Sequence, residues 1–236
     1  MLIAIATVLT IFAINRQRVS AGLAKRKHLT RLSIAVVLGI LAQAVLGGIT
    51  VLTGLNPLTV AAHFLVSCGL IAISVALLVR ANEPEHAEKV SIAKPVKYLI
   101  HAITFLALLI IVLGTLVTGT GPHAGDTAKV PRLRIDAVTI THVHSTAVQI
   151  FFGLIIGLIV AVLANNSPRI FFRRSLIVLG VGLGQGAIGY VQYFTGLPWV
   201  LVALHVLGAC LLWISVLYLF ALAIAPKVVA VKPVDV

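Results

Sequence analysis

Six long apolar stretches, none interrupted by a carboxylate, decide what this chain can fold into. They lie near residues 33–53, 58–79, 98–118, 138–164, 175–194 and 198–224. Each is long enough to cross about 30 Å of hydrocarbon as a helix of about 20 residues. Backbone in lipid must satisfy its own N–H and C=O groups, so stretches of this length read as helices rather than open strands. A 60% hydrophobic and 10% charged composition, with a mean hydropathy of +1.14, excludes a soluble globular domain. The expected fold class is an all-α polytopic membrane protein.

A seventh apolar run, Leu2 to Ile14, has only 13 residues and at the helical rise spans about 20 Å, short of a full crossing. Arg16 and Arg18 follow this run and nothing charged precedes it, the reverse of a secretory signal peptide, so no cleavage is expected. The chain therefore reads as seven helices, the first partial.

Net charge is +12, and its distribution explains it better than a nucleic-acid partner would. Connection 15–31 holds six Lys/Arg, 80–97 four, 165–174 three and the tail two; the alternate connections 54–57 and 195–197 hold none, and 119–137 holds Lys129, Arg132 and Arg134. By the positive-inside rule the first group and the C-terminus are cytoplasmic. The two cysteines, Cys68 and Cys210, sit inside apolar spans, where they read as small packing residues rather than a disulfide framework.

Shifting the chain by 142 residues aligns Gln43 with Gln185, Gly47 with Gly189, Thr53-Gly54-Leu55 with Thr195-Gly196-Leu197, His63 with His205 and Cys68 with Cys210, without a gap. Both hairpins therefore run the same way through the bilayer, as parallel repeats do. The expected organisation is two pseudo-symmetric helical half-bundles: 1–80, incomplete, and 98–225, joined by a cytoplasmic connection at 81–97 and followed by a tail at 226–236.

Counting from the outer boundary places His63, His144 and His205 roughly 8 to 10 Å deep at 1.5 Å per residue. Ionisable groups at such depth face a bundle interior, and neutral imidazole is a strong iron ligand. Three at one level outweigh the ordinary role of a lone buried histidine in packing. His144 and His205, with Ser145, Ala147, Gly208 and Ala209 nearby, read as a bis-histidine heme site. His142 lies two residues from His144 and so points about 200° away; only one of the two can face the site, and depth favours His144, leaving His142 as an interhelical partner or rim group. A zinc or copper centre would need three or four converging ligands, and no span contains a carboxylate. His28, His86 and His101 fall in or beside cytoplasmic connections. His123 belongs to the turn VTGTGPHAGD, on the side of the proposed heme; it, Arg132 and Arg134 are candidates for the propionates, since guanidinium pairs well with carboxylate.

The hairpins GGITVLTGLNPLTVAAHFL and GYVQYFTGLPWVLVALHVLGA, the loop GTLVTGTGPHAGD and the helix start THVHST together resemble the heme A synthase family in its actinobacterial form, over nearly the whole chain. The resemblance implies eight helices in two four-helix halves. It implies a heme b in the C-terminal half with axial ligands at His144 and His205, and a substrate heme O in the N-terminal half at His63. The reaction implied is oxidation of the heme O C8 methyl to the formyl of heme A for terminal oxidases, in a bacterial cell membrane.

One departure stands out. The family places a Glu-containing motif with its essential carboxylate where the repeat predicts the partner of His63, near residue 2, and residue 2 is Leu2. The catalytic carboxylate is therefore expected before Met1, and the start is expected to be an internal Met of a longer protein rather than a truncated gene. A b-type cytochrome, binding heme and transferring electrons without oxidising heme O, is the alternative. A transporter is disfavoured, since no helix pair is broken by Gly/Pro and no buried acid is present for ion coupling. Expected partners are the bilayer, a heme O synthase as substrate source, an electron donor such as a quinol and, as an option, a second copy of the chain.

Overall fold

The computed structural model describes residues 2–20, 26–82, 92–122 and 130–224. Among them are seven helices and no strands: α1 (Leu2–Ser20), α2 (Lys27–Leu52), α3 (Pro57–Ala81), α4 (Lys94–Thr120), α5 (Ala137–Ala164), α6 (Arg169–Phe194) and α7 (Trp199–Ile224). Helices α2 to α7 are each long and apolar enough to cross a membrane, so the chain is a multi-pass membrane protein. The helix of α1 continues beyond the apolar run through Arg16 and Arg18 to Ser20. Backbone hydrogen bonding propagates across charged residues once a turn is nucleated, which is why its end is not where hydrophobicity stops.

The 142-residue shift carries α2 onto α6 residue for residue, Lys27–Leu52 onto Arg169–Phe194. It also carries Pro57 onto Trp199, the first residues of α3 and α7. Helices α4, α5, α6 and α7 pack in a closed ring, α4 against both α5 and α7; α3 packs on α2 and against α4 and α7, and α1 packs on α2.

Lipid-facing surfaces are as apolar as the interior, with Phe105, Leu183 and Leu207 more than half exposed, because lipid tails give no reason to segregate polar from apolar faces. What distinguishes the interior is spacing. On α4 the buried side chains are Val96, Ile100, Ile103, Ala107 and Ile111; on α5 they include Phe151, Ile155, Leu158 and Val162. Steps of three and four residues keep each set on one helical face. These meet Phe171 and Val178 of α6 and Val216 and Leu219 of α7 in one core at the basic end of the bundle. Trp213 fastens α7 to α3: its Nε1 donates to the Cys68 carbonyl at 3.0 Å.

Candidate functional site

The two Thr-Gly-Leu turns set the geometry. Both residues after the Thr adopt positive φ: 65° and 60° at Gly54 and Leu55, 77° and 59° at Gly196 and Leu197. The Leu55 N–H returns to the Thr50 carbonyl at 2.9 Å and the Leu197 N–H to the Gln192 carbonyl at 2.8 Å. This six-to-one bond closes a helix end by satisfying an otherwise orphaned carbonyl. A leucine in the left-handed region is uncommon and strained. Its use twice shows that turn geometry, rather than the residue's own preference, is what matters here.

These turns bring together residues sixteen apart. His63 and His205 are each the seventh residue of their helices, and His144 is the eighth of α5, about 9 to 11 Å from the helix start. Each ring lies on a glycine of the adjoining helix. A Cβ at Gly47 would stand 3.3 Å from His63 Cε1, one at Gly189 3.0 Å from His205 Cε1, and one at Gly114 3.4 Å from His144 Cε1. The absent side chain is what lets the Cε1 corner of each imidazole come this close to the neighbouring backbone.

A glutamine one turn below braces each of the two repeat-related histidines. Gln43 Nε2 donates to the His63 carbonyl at 3.1 Å, and Gln185 Nε2 to the His205 carbonyl at 2.7 Å. The copies then diverge. Gln43 also reaches Ser67 Oγ, which itself donates to the His63 carbonyl at 2.9 Å, whereas the residue in Ser67's place is Ala209. Ala209 lines a cavity, so a methyl replaces a hydroxyl where the second repeat opens.

That cavity, about 240 Å³, lies between α3, α4, α5, α6 and α7, and both His144 and His205 line it. Ala107, Phe151 and Trp213, shared with the buried core, form its floor; Phe152, Gln185 and Leu212 are among the other walls. Nδ1 of His63, His144 and His205 is in each case buried without a hydrogen-bond partner. With Nδ1 enclosed, Nε2 is the nitrogen left for a ligand.

The structure thus brings His144 and His205 to one cavity and sets His63 apart: it packs on Gly47 across the α2–α3 hairpin and does not line that space. His142 is exposed, its carbonyl accepting from Ser145 Oγ. Arg132 and Arg134 are exposed and line no part of the cavity. His123 and His86 lie outside the described residues. His101 is exposed, its Nδ1 2.7 Å from the Lys97 carbonyl and its ring edge-on to Phe220. Both cysteines are free, Cys68 buried and Cys210 partly so. Sequence reasoning aligned the glutamines and two of the ring-seating glycines without assigning them roles, and it missed Gly114 and Trp213.

Among the described residues no cluster of three or more His, Cys, Asp or Glu forms, so no site for a bare metal ion is assembled there. Two imidazoles on one apolar cavity suit a heme, which supplies its own equatorial nitrogens and asks the protein only for axial ligands. The profile of the COX15-CtaA family, cytochrome oxidase assembly proteins, matches residues 1–217. The chain belongs to this family. No curated protein matches it. Its family gives it a role in cytochrome oxidase assembly, and a heme is the cofactor that both the family and the donor set favour.

Proposed function

We propose that this cytochrome oxidase assembly protein is a heme A synthase of the bacterial cell membrane, oxidising the C8 methyl of heme O to a formyl, with its C-terminus in the cytoplasm. The observation that carries the reading is the pair of imidazoles, His144 and His205, facing one apolar cavity within a chain of this family. In this reading they hold a heme b, which when bound supplies reversible one-electron chemistry. The chain's residues do the rest. The glycine seats admit each ring at its Cε1 corner, Gln185 fixes the helix that carries His205, and Phe151, Phe152 and Trp213 exclude water. Heme O is the substrate of the second site, with His63 on its side of the bundle. An electron donor such as a quinol and a heme O synthase are its proposed partners.

A second reading rests on a different observation: among the described residues, those lining the cavity include no carboxylate. Proton handling at a developing alcohol or aldehyde calls for an acid/base group, so this cavity by itself suits electron transfer, as in a b-type cytochrome. Expression in cells that make heme O, followed by chromatography of the extracted hemes, separates the two. Heme A or its hydroxylated precursor is the outcome expected of the synthase; heme b alone would overturn it in favour of the cytochrome.

A further inference from the structure

At the basic end of the bundle, where α1 meets α2, lies a second cavity of about 580 Å³, lined by Phe12, Asn15, Arg16 and Val19 of α1 and by Lys27, Thr30 and Arg31 of α2. Three of these side chains are cationic. Asp136, the one carboxylate among the described residues, caps α5 at the opposite end.

The walls are built rather than incidental. Asn15 is 7% exposed and satisfied at both ends of its amide: Nδ2 donates to Thr30 Oγ1 at 2.9 Å, and Oδ1 accepts from the Arg26 N–H at 2.8 Å. A buried amide paired in this way locks α1 against the start of α2, since breaking either bond would strand a polar group in an apolar setting. Arg16, the next residue, therefore opens into the same space as Lys27 and Arg31, which lie four apart and share a helix face. Lys27 is the first residue of α2, and a helix start adds a partial positive charge of its own.

The repeat supplies an internal comparison. The 142-residue shift carries Lys27 and Arg31 onto Arg169 and Arg173 but carries Asn15 and Arg16 onto Gly157 and Leu158. Leu158 is wholly buried core. The basic pair is thus common to both copies; the buried amide and the third cation belong to the first alone. Phe12, one turn deeper in α1 and 63% exposed, adds an apolar wall beside the basic one. Phosphate below, hydrocarbon above is the profile of a phospholipid at the membrane boundary.

We propose that this cavity binds the phosphate of an anionic phospholipid, held by Arg16, Lys27 and Arg31, with an acyl chain running along Phe12. The test is native mass spectrometry of the purified full chain in neutral detergent. It would be titrated with phosphatidylglycerol, with phosphatidylcholine of the same chains, and with phosphatidylglycerol in the presence of millimolar inorganic phosphate. Phosphatidylglycerol is expected to be retained over phosphatidylcholine. The Arg16→Gln/Arg31→Gln variant should lose binding by about 25-fold, taking roughly fivefold per basic side chain at a lipid phosphate. Arg16→Lys/Arg31→Lys should retain most of it, which separates lost charge from lost folding. Arg169→Gln/Arg173→Gln, with two charges removed from the basic pair that the other repeat keeps, should bind as the parent does. Equal retention of the two lipids, or equal losses in the two Gln variants, would overturn the proposal. Displacement of the lipid by inorganic phosphate would overturn it too, pointing to a soluble anion instead.

Discussion

His205 lies with Cε1 3.0 Å from where a side chain on Gly189 would begin. An alanine there must push the ring off its seat, although alanine favours a helix over glycine by about 1 kcal/mol. Gly189→Ala is therefore expected to lower the heme bound per protein, read from the Soret absorbance of the purified chain. Gly184→Ala, where nothing lies within 4 Å, should keep full loading and gain stability by about 0.5–1 kcal/mol. Gly114→Ala, whose clearance to His144 Cε1 is 3.4 Å rather than 3.0 Å, should lower loading less. Full loading in Gly189→Ala would show that the ring does not depend on this seat.

Gln185 acts on His205 through the backbone. Removing its 2.7 Å bond to the His205 carbonyl by Gln185→Leu should cost about 0.6 to 1.7 kcal/mol, the range for interhelical hydrogen bonds in membranes. It should also broaden the low-spin heme signal in electron paramagnetic resonance as the ring's orientation loosens. An unaltered spectrum with lowered stability would reduce Gln185 to a packing role.

Trp213 joins α7 to α3 and floors the cavity at once. Trp213→Phe keeps most of the ring and loses the N–H, so a loss of about 1 kcal/mol is expected. Trp213→Ala opens a void in the core and should cost about 3–5 kcal/mol. Thermal unfolding in detergent measures both; equal effects would mean that the hydrogen bond, not the packing, holds the two helices.

Asp136 caps α5 outside the membrane, accepting from the Thr139 N–H at 2.7 Å. Hydrogen bonding from the Thr139 side chain first, and its backbone N–H second, holds the carboxyl below its usual range. A folded-state value below the unfolded one means that the cap stabilises above the ordinary carboxylate range, about pH 4, and that this is lost as pH falls through the lowered value. The melting-temperature gap between the parent and Asp136→Ala should hold steady from neutral pH to about pH 5 and close below that. A gap that widened on acidification would contradict the assignment.

Much of this was legible in the sequence because a bilayer imposes simple demands. Helix length follows from hydrocarbon thickness, which is why the apolar runs located α2 to α7, and the repeat carried His63 onto His205 without a structure. Depth could be counted along each helix; direction around the helix could not. Nothing in the spacing says that His63 turns toward Gly47 while His205 reaches the cavity that His144 shares. Gly114 was illegible for a related reason: glycine is frequent in membrane helices, and its partner His144 is thirty residues away, so only packing reveals its role. The leucines at Leu55 and Leu197 carry no turn preference of their own, and their repetition did not reveal the positive φ they adopt.

The central claim is that His144 and His205 are the two axial ligands of one heme. Optical and paramagnetic resonance spectra of the purified chain, alongside His144→Ala, His205→Ala and His142→Ala, test it most directly. The expected result is a low-spin bis-histidine signature in the parent and in His142→Ala, lost in each of the other two. Retention of that signature in either His144→Ala or His205→Ala would contradict the account.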